Sequence, residues 1–266
     1  MAYTTIDDPS AHFQTTLYTG NGSDGYSITN SGNSDLQPDM LWFKNRNSTQ
    51  GHEIFDSTRG VATSSRPHNT DADVVDSPND RLTAINSDGF TLGDDGNPNT
   101  NNNTYVAWQW KANGGSTSSN TDGDITSTVQ ANTTAGFSIL TYTGTGNDGD
   151  TIGHGLGVKP DVIIVKGNHG SYNWNNRYTA LESSGNGYVV HFDGDWAAGN
   201  EVNKFTTTAP TTAVFSVGDH GTNISGTTHV AYCWTEVQGY SKFGSWTGNA
   251  NDDGPFVYTG FKPAWL

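Results

Sequence analysis

The chain has 266 residues, with 12 Lys and Arg against 27 Asp and Glu, a formal net charge of −15. That balance excludes recognition of a nucleic-acid backbone, which needs clustered cations, and offers no attraction to an anionic membrane surface. Hydrophobic residues make up 32 %, no run approaches the ~20 apolar residues of a membrane-spanning helix, and 33 Gly with 2 Met disfavour helix, so the expected class is all-β.

Residues 1–12 read as a polar arm. Its opening, Met-Ala-Tyr-Thr-Thr-Ile-Asp-Asp, has neither a basic nor an apolar stretch, so no signal peptide is expected. Phe13 to Tyr18 alternates and then meets Thr19-Gly20-Asn21-Gly22, a strand followed by a tight turn. Leu36-Gln-Pro38-Asp39 leads into the apolar strand Met40 to Lys44. Proline is tolerated at a strand's first position because the missing donor is spare there. Asn45 to Gly51 is a loop and Glu53 to Asp56 a short strand. Residues 57–80 are polar and irregular, with Arg59, Arg66 and Arg81 near Asp71, Asp73, Asp76 and Asp80. Short strands follow at Arg81 to Ile85 and Gly89 to Leu92, then a polar loop from Asp94 to Asn103.

The aromatic run Thr104-Tyr-Val-Ala-Trp-Gln-Trp110 closes the unit and returns 124 residues later as Thr228-His-Val-Ala-Tyr-Cys-Trp234. Phe13 to Tyr18 returns at the same spacing as Phe137 to Tyr142. Pro38 to Lys44 returns as Pro160 to Lys166, and Phe90 to Asp94 as Phe215 to Asp219. One set of strands recurring at nearly one spacing is an internal repeat. The expected organisation is an arm (1–12), a first β-sandwich repeat (13–112), a connecting segment (113–135), a second repeat (136–235) and the partial start of a third (236–266). Within the connecting segment, Ile125 to Gln130 has strand character. The expected core comprises Trp42, Phe90, Val106, Trp108, Trp110, Ile164, Phe215, Val230, Tyr232 and Trp234. The single cysteine, Cys233, lies in an apolar run and is expected to be a buried, inert thiol. The aromatics of the tail, among them Tyr240, Phe243, Trp246, Phe256, Tyr258 and Trp265, are too many to leave in water. They are expected to pack on the second sandwich, a neighbouring subunit or further chain.

Asp95, Asn97, Asn99 and Asn101 present oxygens at every second position, a spacing from which a loop can wrap Ca²⁺. A solvated Asn-rich turn is the alternative. No His-x-x-x-His, Cys-x-x-Cys or Gly-x-Ser-x-Gly pattern occurs, and no catalytic residue is expected. Trp174, in Asn-Trp-Asn-Asn-Arg177, and Trp196, in Asp-Gly-Asp-Trp, read as loop aromatics. With Asn175 and Arg177 they would offer a flat apolar face rimmed by planar polar groups, an arrangement that grips sugars. A tryptophan folded back over a thin core is the alternative. The only glutamates are Glu53, Glu182, Glu201 and Glu236, and sequence alone gives no separation with which to test a two-carboxylate glycosidase.

Several motifs carry a resemblance in combination. They include the opening Met-Ala-Tyr-Thr-Thr-Ile-Asp-Asp-Pro-Ser, Leu-Trp-Phe-Lys-Asn-Arg, Phe55-Asp-Ser-Thr-Arg-Gly60, Ser87-Asp-Gly-Phe-Thr-Leu-Gly93 and Gly254-Pro-Phe-Val-Tyr-Thr-Gly-Phe. They resemble a repeated-domain family of marine bacteriophage virion structural proteins, whose units are concanavalin-like or SPRY-like sandwiches. The resemblance covers nearly the whole chain. The second unit departs from it, with Gly-Asn-His-Gly-Ser-Tyr after Lys166 in place of Lys-Asn-Arg. The resemblance implies tandem antiparallel jelly-roll β-sandwiches in a virion component. That component would be a tail fibre or spike attaching to host-surface glycans, or alternatively a capsid decoration or head fibre. A polysaccharide-degrading enzyme is the reading from a different class. Other virion proteins are the implied partners, with a homo-oligomer, a trimer for a fibre, exposed on the particle. No catalytic set is implied, and no cofactor other than the Ca²⁺ considered above.

Overall fold

A strand with one face in water alternates in hydrophobicity, whereas a strand buried on both faces reads as a continuous apolar run. Val162–Gly167 and Thr228–Trp234 are of the second kind. In the computed structural model, which describes residues 4–76, 80–182 and 188–266, Ile163, Val165, Ala231 and Cys233 point into one core. Val162, Ile164, Val230 and Tyr232 point into another. The first three residues of the arm lie outside the described residues.

The first unit opposes a six-stranded sheet to a three-stranded one. The larger runs in the order Phe13–Thr19, Thr104–Trp110, Met40–Asn45, Glu53–Asp56, Thr63–Ser65, Val74–Val75. The smaller is Tyr26–Ile28, Gly89–Leu92, Leu82–Asn86. The second unit opposes an eight-stranded sheet to the pair Thr151–Gly153 and Val214–Ser216. At the centre of the eight lie Phe137–Thr143, Thr228–Trp234 and Val162–Gly167. All strand pairings within these sheets are antiparallel, so the chain is an all-β protein of sandwich architecture. The repeat is visible in the register: Phe13 faces Trp110, and Phe137 faces Trp234. Residues 113–135 do more than connect. They give Ser118–Asn120 and Ser127–Asn132 to one edge of the second large sheet.

Three apolar clusters follow from the alternation. Leu41, Phe43, Phe55, Phe90 and Tyr105 fill the first sandwich. Leu140, Tyr142, Phe205, Phe215 and Cys233 are among those filling the second. The third lies between the two large sheets, where Met40, Ile54 and Trp110 of one meet Ile139, Ile164, Val230 and Tyr232 of the other. The sandwiches are therefore stacked large sheet against large sheet. Seven of the ten expected core residues are buried, Phe90, Val106, Trp110, Ile164, Phe215, Val230 and Tyr232. Trp42, Trp108 and Trp234 are only partly buried, because their strand parity sends them to the shared layer and packs them against it from the side. Cys233 is fully buried, and burial raises its thiol above the ordinary range.

Residues 236–266 add no strand, only a bridge between Val237 and Ser241. Phe243 packs on the shared layer, and Trp265 stands 5.4 Å from Trp110 and 6.4 Å from Trp42. Trp246, Phe256 and Tyr258 are exposed. Among the described residues, no helix is long and apolar enough to cross a membrane.

Polar groups buried between the sandwiches need partners there. Arg59, 6 % exposed, donates to Asp56 at 2.6 Å and to Asp73 at 2.8 Å in its own unit. Another contact crosses to the hydroxyl of Tyr232 in the other unit, at 2.9 Å, and that hydroxyl donates to Asp56 at 2.7 Å. Lys166 donates to the Thr70 carbonyl at 3.0 Å, and Gln130 to the hydroxyls of Ser57 and Thr58. Trp174 Nε1 donates to the Arg66 carbonyl at 3.0 Å.

Candidate functional site

The hairpin loop between Met40–Asn45 and Glu53–Asp56 is held by its own side chains. Lys44 Nζ donates to the carbonyls of Asn45 at 2.9 Å and Gln50 at 2.6 Å. Asn45 Nδ2 donates to Gln50 Oε1 at 2.7 Å. The loop delivers Gln50, Gly51, His52 and Glu53 to one wall of a cleft of about 200 Å³. Arg66, His68, Arg81 and Asn97 form the rest of it. At Gly51 the His68 ring lies so close that a Cβ there would come 2.0 Å from it and would push the ring aside.

Glu53 is the chemical centre of the cleft. Its side chain is 4 % exposed, and Oε1 accepts from Arg81 Nη1 at 2.9 Å, with Arg66 Nε at 4.0 Å. Its other oxygen, Oε2, is buried with no donor in reach among the described residues, and so is Asn97 Oδ1. Burial pushes the carboxyl up to about 7, against the opposing pull of Arg81 and Arg66. Arg81 is shared, since its Nε donates to Asp95 at 2.5 Å. His52 accepts from Trp42 Nε1 at 2.9 Å and lies parallel to Trp108 at 6.4 Å. Burial, with Lys44 nearby, lowers its pKa to about 4, so the ring is neutral at physiological pH.

A second space of about 200 Å³ adjoins the first, lined by Trp42, His52, Pro67, His68 and Phe192. The two share His52 and His68 and make one groove, polar at one end and aromatic at the other. Phe192 comes from the second unit, so the stacking of the sandwiches completes the aromatic end.

The raised carboxyl has a consequence for stability. Glu53 holds its proton to higher pH when folded than in the unfolded chain. Its contribution is therefore present in full below the ordinary carboxyl value and is lost as pH rises through about 7. The loss is at most about 3 kcal/mol. Glu53→Gln removes the titration. Its stability relative to the parent is expected to rise by about 1–3 kcal/mol between roughly pH 5 and pH 8 in urea denaturation. A difference that stays flat across that range would show that Glu53 titrates ordinarily.

The residues singled out by sequence fall elsewhere. Trp174 is fully buried in the layer between the sandwiches, behind the Arg66 wall of the cleft. Asn175 and Arg177 are fully buried in the strand Asn175–Tyr178. Arg177 is ion-paired to Glu182 and donates to the Thr208 carbonyl at 2.9 Å. These three therefore form no surface face for a sugar. The segment read as a loop runs into a strand whose polar side chains are buried and only partly paired: Arg177 and Asn175 Nδ2 find partners, while Asn176 finds none among the described residues. Trp196 alone is exposed, at 60 %, edge-on to His191 at 5.4 Å.

The oxygens of the Asp95 to Asn101 loop are likewise put to separate uses. Asp95 holds Arg81 and caps the turn at Gly96. Asn99 is fully buried and supports the opposite turn, accepting from the Asn21 amide and donating to the carbonyls of Ser23 and Gly93. Asn97 lines the cleft, and Asn101 is exposed. The oxygen-rich cluster that forms instead is Asp76, Asp80 and Asp95, with carboxylate oxygens within 4.8 Å of one another.

Sequence reasoning passed over Glu53, Arg66, Arg81, His52 and His68 as site residues. The repeat itself shows that the two units differ at Glu53 and Arg81. Glu53 faces Phe43, and Asn175 faces Val165, at matching places in the two sheets. The carbonyl of Arg81 accepts from Gly93, and that of Lys204 from Gly218. Asp95 and His220 make matching contacts to Asp80 and Asn203. The first unit thus carries Glu53–Arg81–Asp95 where the second carries Asn175–Lys204–His220, with Lys204 2.6 Å from His220. The support residues, by contrast, are shared. Asn99 recurs as Asn223, which holds the Thr145–Asn147 turn, and Tyr18 as Tyr142, each hydroxyl bonded to a loop carbonyl.

A family model described as a domain of unknown function matches residues 8–266. No curated protein and no solved structure matches the chain.

Proposed function

Since the chain belongs to the DUF7483 family, a domain of unknown function, we propose from its own geometry and motifs that it is a non-catalytic structural component of a bacteriophage virion. It serves as a surface element, a tail fibre or spike that meets host glycans, with capsid decoration or a head fibre as the alternative address. The observation that carries this reading is the junction. Two sandwiches are joined through a continuous apolar layer and the buried Arg59–Asp56–Tyr232 contacts, which makes a stiff tandem block. Stiff repeats with polar loops outward suit a particle surface. The cleft also favours binding over hydrolysis. Among its described lining residues Glu53 is the one carboxylate, whereas glycoside hydrolysis uses two that flank the bond.

Assembly as a homotrimer alongside other virion proteins belongs to the same proposal, cyclic symmetry being the common solution for such chains. With a net charge of −15, association should strengthen as salt screens self-repulsion. Antibody raised against the purified chain is expected to decorate intact particles at symmetric positions, and sedimentation at high salt to show a trimer. Particles free of the chain would refute the virion role, and a monomer at high salt and concentration would refute the assembly.

A further inference from the structure

We propose that the groove of the first unit is a sugar-binding site, taking the hydroxyl edge of a neutral pyranose at Glu53, Asn97 and Arg66 and its apolar face against Trp42 and Phe192. This deepens the attachment reading and rests on it only for where the sugar comes from. It moves the contact away from Trp174 and its neighbours, which are buried.

The charges around the polar end are already matched. Arg81 lies between Glu53 and Asp95, and Arg66 between Glu53 at 4.0 Å and Asp71 at 3.4 Å. Among the described residues that line it, neither arginine is left unpaired for a phosphate or carboxylate, and the chain's negative charge repels such ligands further. What the polar end lacks is donors. Glu53 Oε2 and Asn97 Oδ1 are both buried acceptors without partners among the described residues, and a buried acceptor left unpaired costs free energy that an incoming hydroxyl would recover. Arg66, 31 % exposed, is the least enclosed charged side chain beside Glu53 and is the one placed to swing aside for that hydroxyl.

The other end asks for the opposite chemistry. Trp42, Pro67 and Phe192 offer apolar surface, and His52, kept neutral, adds a ring edge rather than a charge. A ligand with hydroxyls on one edge and C–H groups on one face fits both ends, and a pyranose is such a molecule. Two adjoining spaces of about 200 Å³ each suit one ring or a chain terminus rather than a long segment.

The test is titration of the full chain with free methyl pyranosides of the common neutral hexoses and with glucuronate, followed by tryptophan fluorescence and saturation-transfer NMR at about pH 8. The expected result is saturable binding of at least one neutral pyranoside with Kd on the order of 1 mM. It should weaken at least tenfold in both Glu53→Gln and His68→Ala, and be unchanged in Trp196→Ala. His68 is exposed and lies outside the core, so its loss leaves folding intact, and the melting of each variant checks this. No binding at about 100 mM of any probe overturns the proposal. So does binding that survives both groove substitutions, binding lost only in Trp196→Ala, a preference for glucuronate, or hydrolysis of the glycoside. Particle labelling is independent of these outcomes. A chain found on particles that binds no sugar refutes this site alone, and a chain that binds sugar but is missing from particles refutes the virion role alone.

Discussion

Arg59→Met is expected to cost about 3–5 kcal/mol, the usual penalty for removing one partner from a buried ion pair. Asp56 and Asp73 would stay behind, 0 % and 4 % exposed, without the one cation that ion-pairs with them among the described residues. Lysine should not rescue the variant. The guanidinium makes separate contacts to Asp56, Asp73, Ser65 and Tyr232, and a single ammonium cannot reproduce that fork. The loss should also change the form of the transition. The parent is expected to unfold in one step, because its two sandwiches share a core layer. In the variant the units should begin to separate, giving a broader or two-step denaturant curve. Pairing Arg59→Met with Tyr232→Phe in a double-mutant cycle isolates the part of the coupling that crosses between units. A variant that melts with the parent would mean that the junction owes its stability to apolar packing alone.

Trp174→Ala should be comparably severe, at about 3–5 kcal/mol for a fully enclosed tryptophan truncated to alanine. A further ~1 kcal/mol comes from the Arg66 carbonyl, which loses the indole donor across the junction. For a chain of this size the melting temperature should fall by roughly 10 °C or more. Trp174→Phe keeps much of the volume and loses the hydrogen bond, so it should fall between the two. This outcome separates two readings of one residue. A tryptophan at a sugar-gripping surface could be removed with little effect on melting, whereas a tryptophan between two sheets could not. Parent-like melting of Trp174→Ala would restore the surface reading.

The duplication was legible because it is written in strands. A run of aromatic and β-branched residues at Thr104 to Trp110, repeated 124 residues on, leaves little room for another fold. How the copies meet was harder to read. Val162 to Val165 and Val230 to Cys233 are apolar at every position, which marks burial on two sides but does not say what lies on the second side. Trp174 misled for a related reason. Asn-Trp-Asn-Asn-Arg has the composition of a loop, yet Asn175 to Arg177 pair on both sides with neighbouring strands, and only Arg177 and Asn175 Nδ2 find side-chain partners there. The cleft was illegible because Glu53, Arg66 and Arg81 stand far apart in sequence, and only the burial of one carboxylate makes them a site. A usable signal did exist in Asn99 and Asn223, which share the repeat spacing. It would have marked Asn99 as a support of the fold and argued against reading it as a cation ligand.

The lone cysteine offers something different. Cys233 has no accessible surface, and burial disfavours its thiolate, the form that reacts with alkylating agents. In the closed protein the sulfur is therefore chemically silent. Any labelling must wait for the central strand Thr228–Trp234 to come away from its neighbours, an event that touches both the inner core and the layer shared with the first sandwich. The rate of alkylation is then a clock for opening, ticking only when the sheet parts. A single natural atom, with no engineered probe, reports how often the middle of the molecule comes undone.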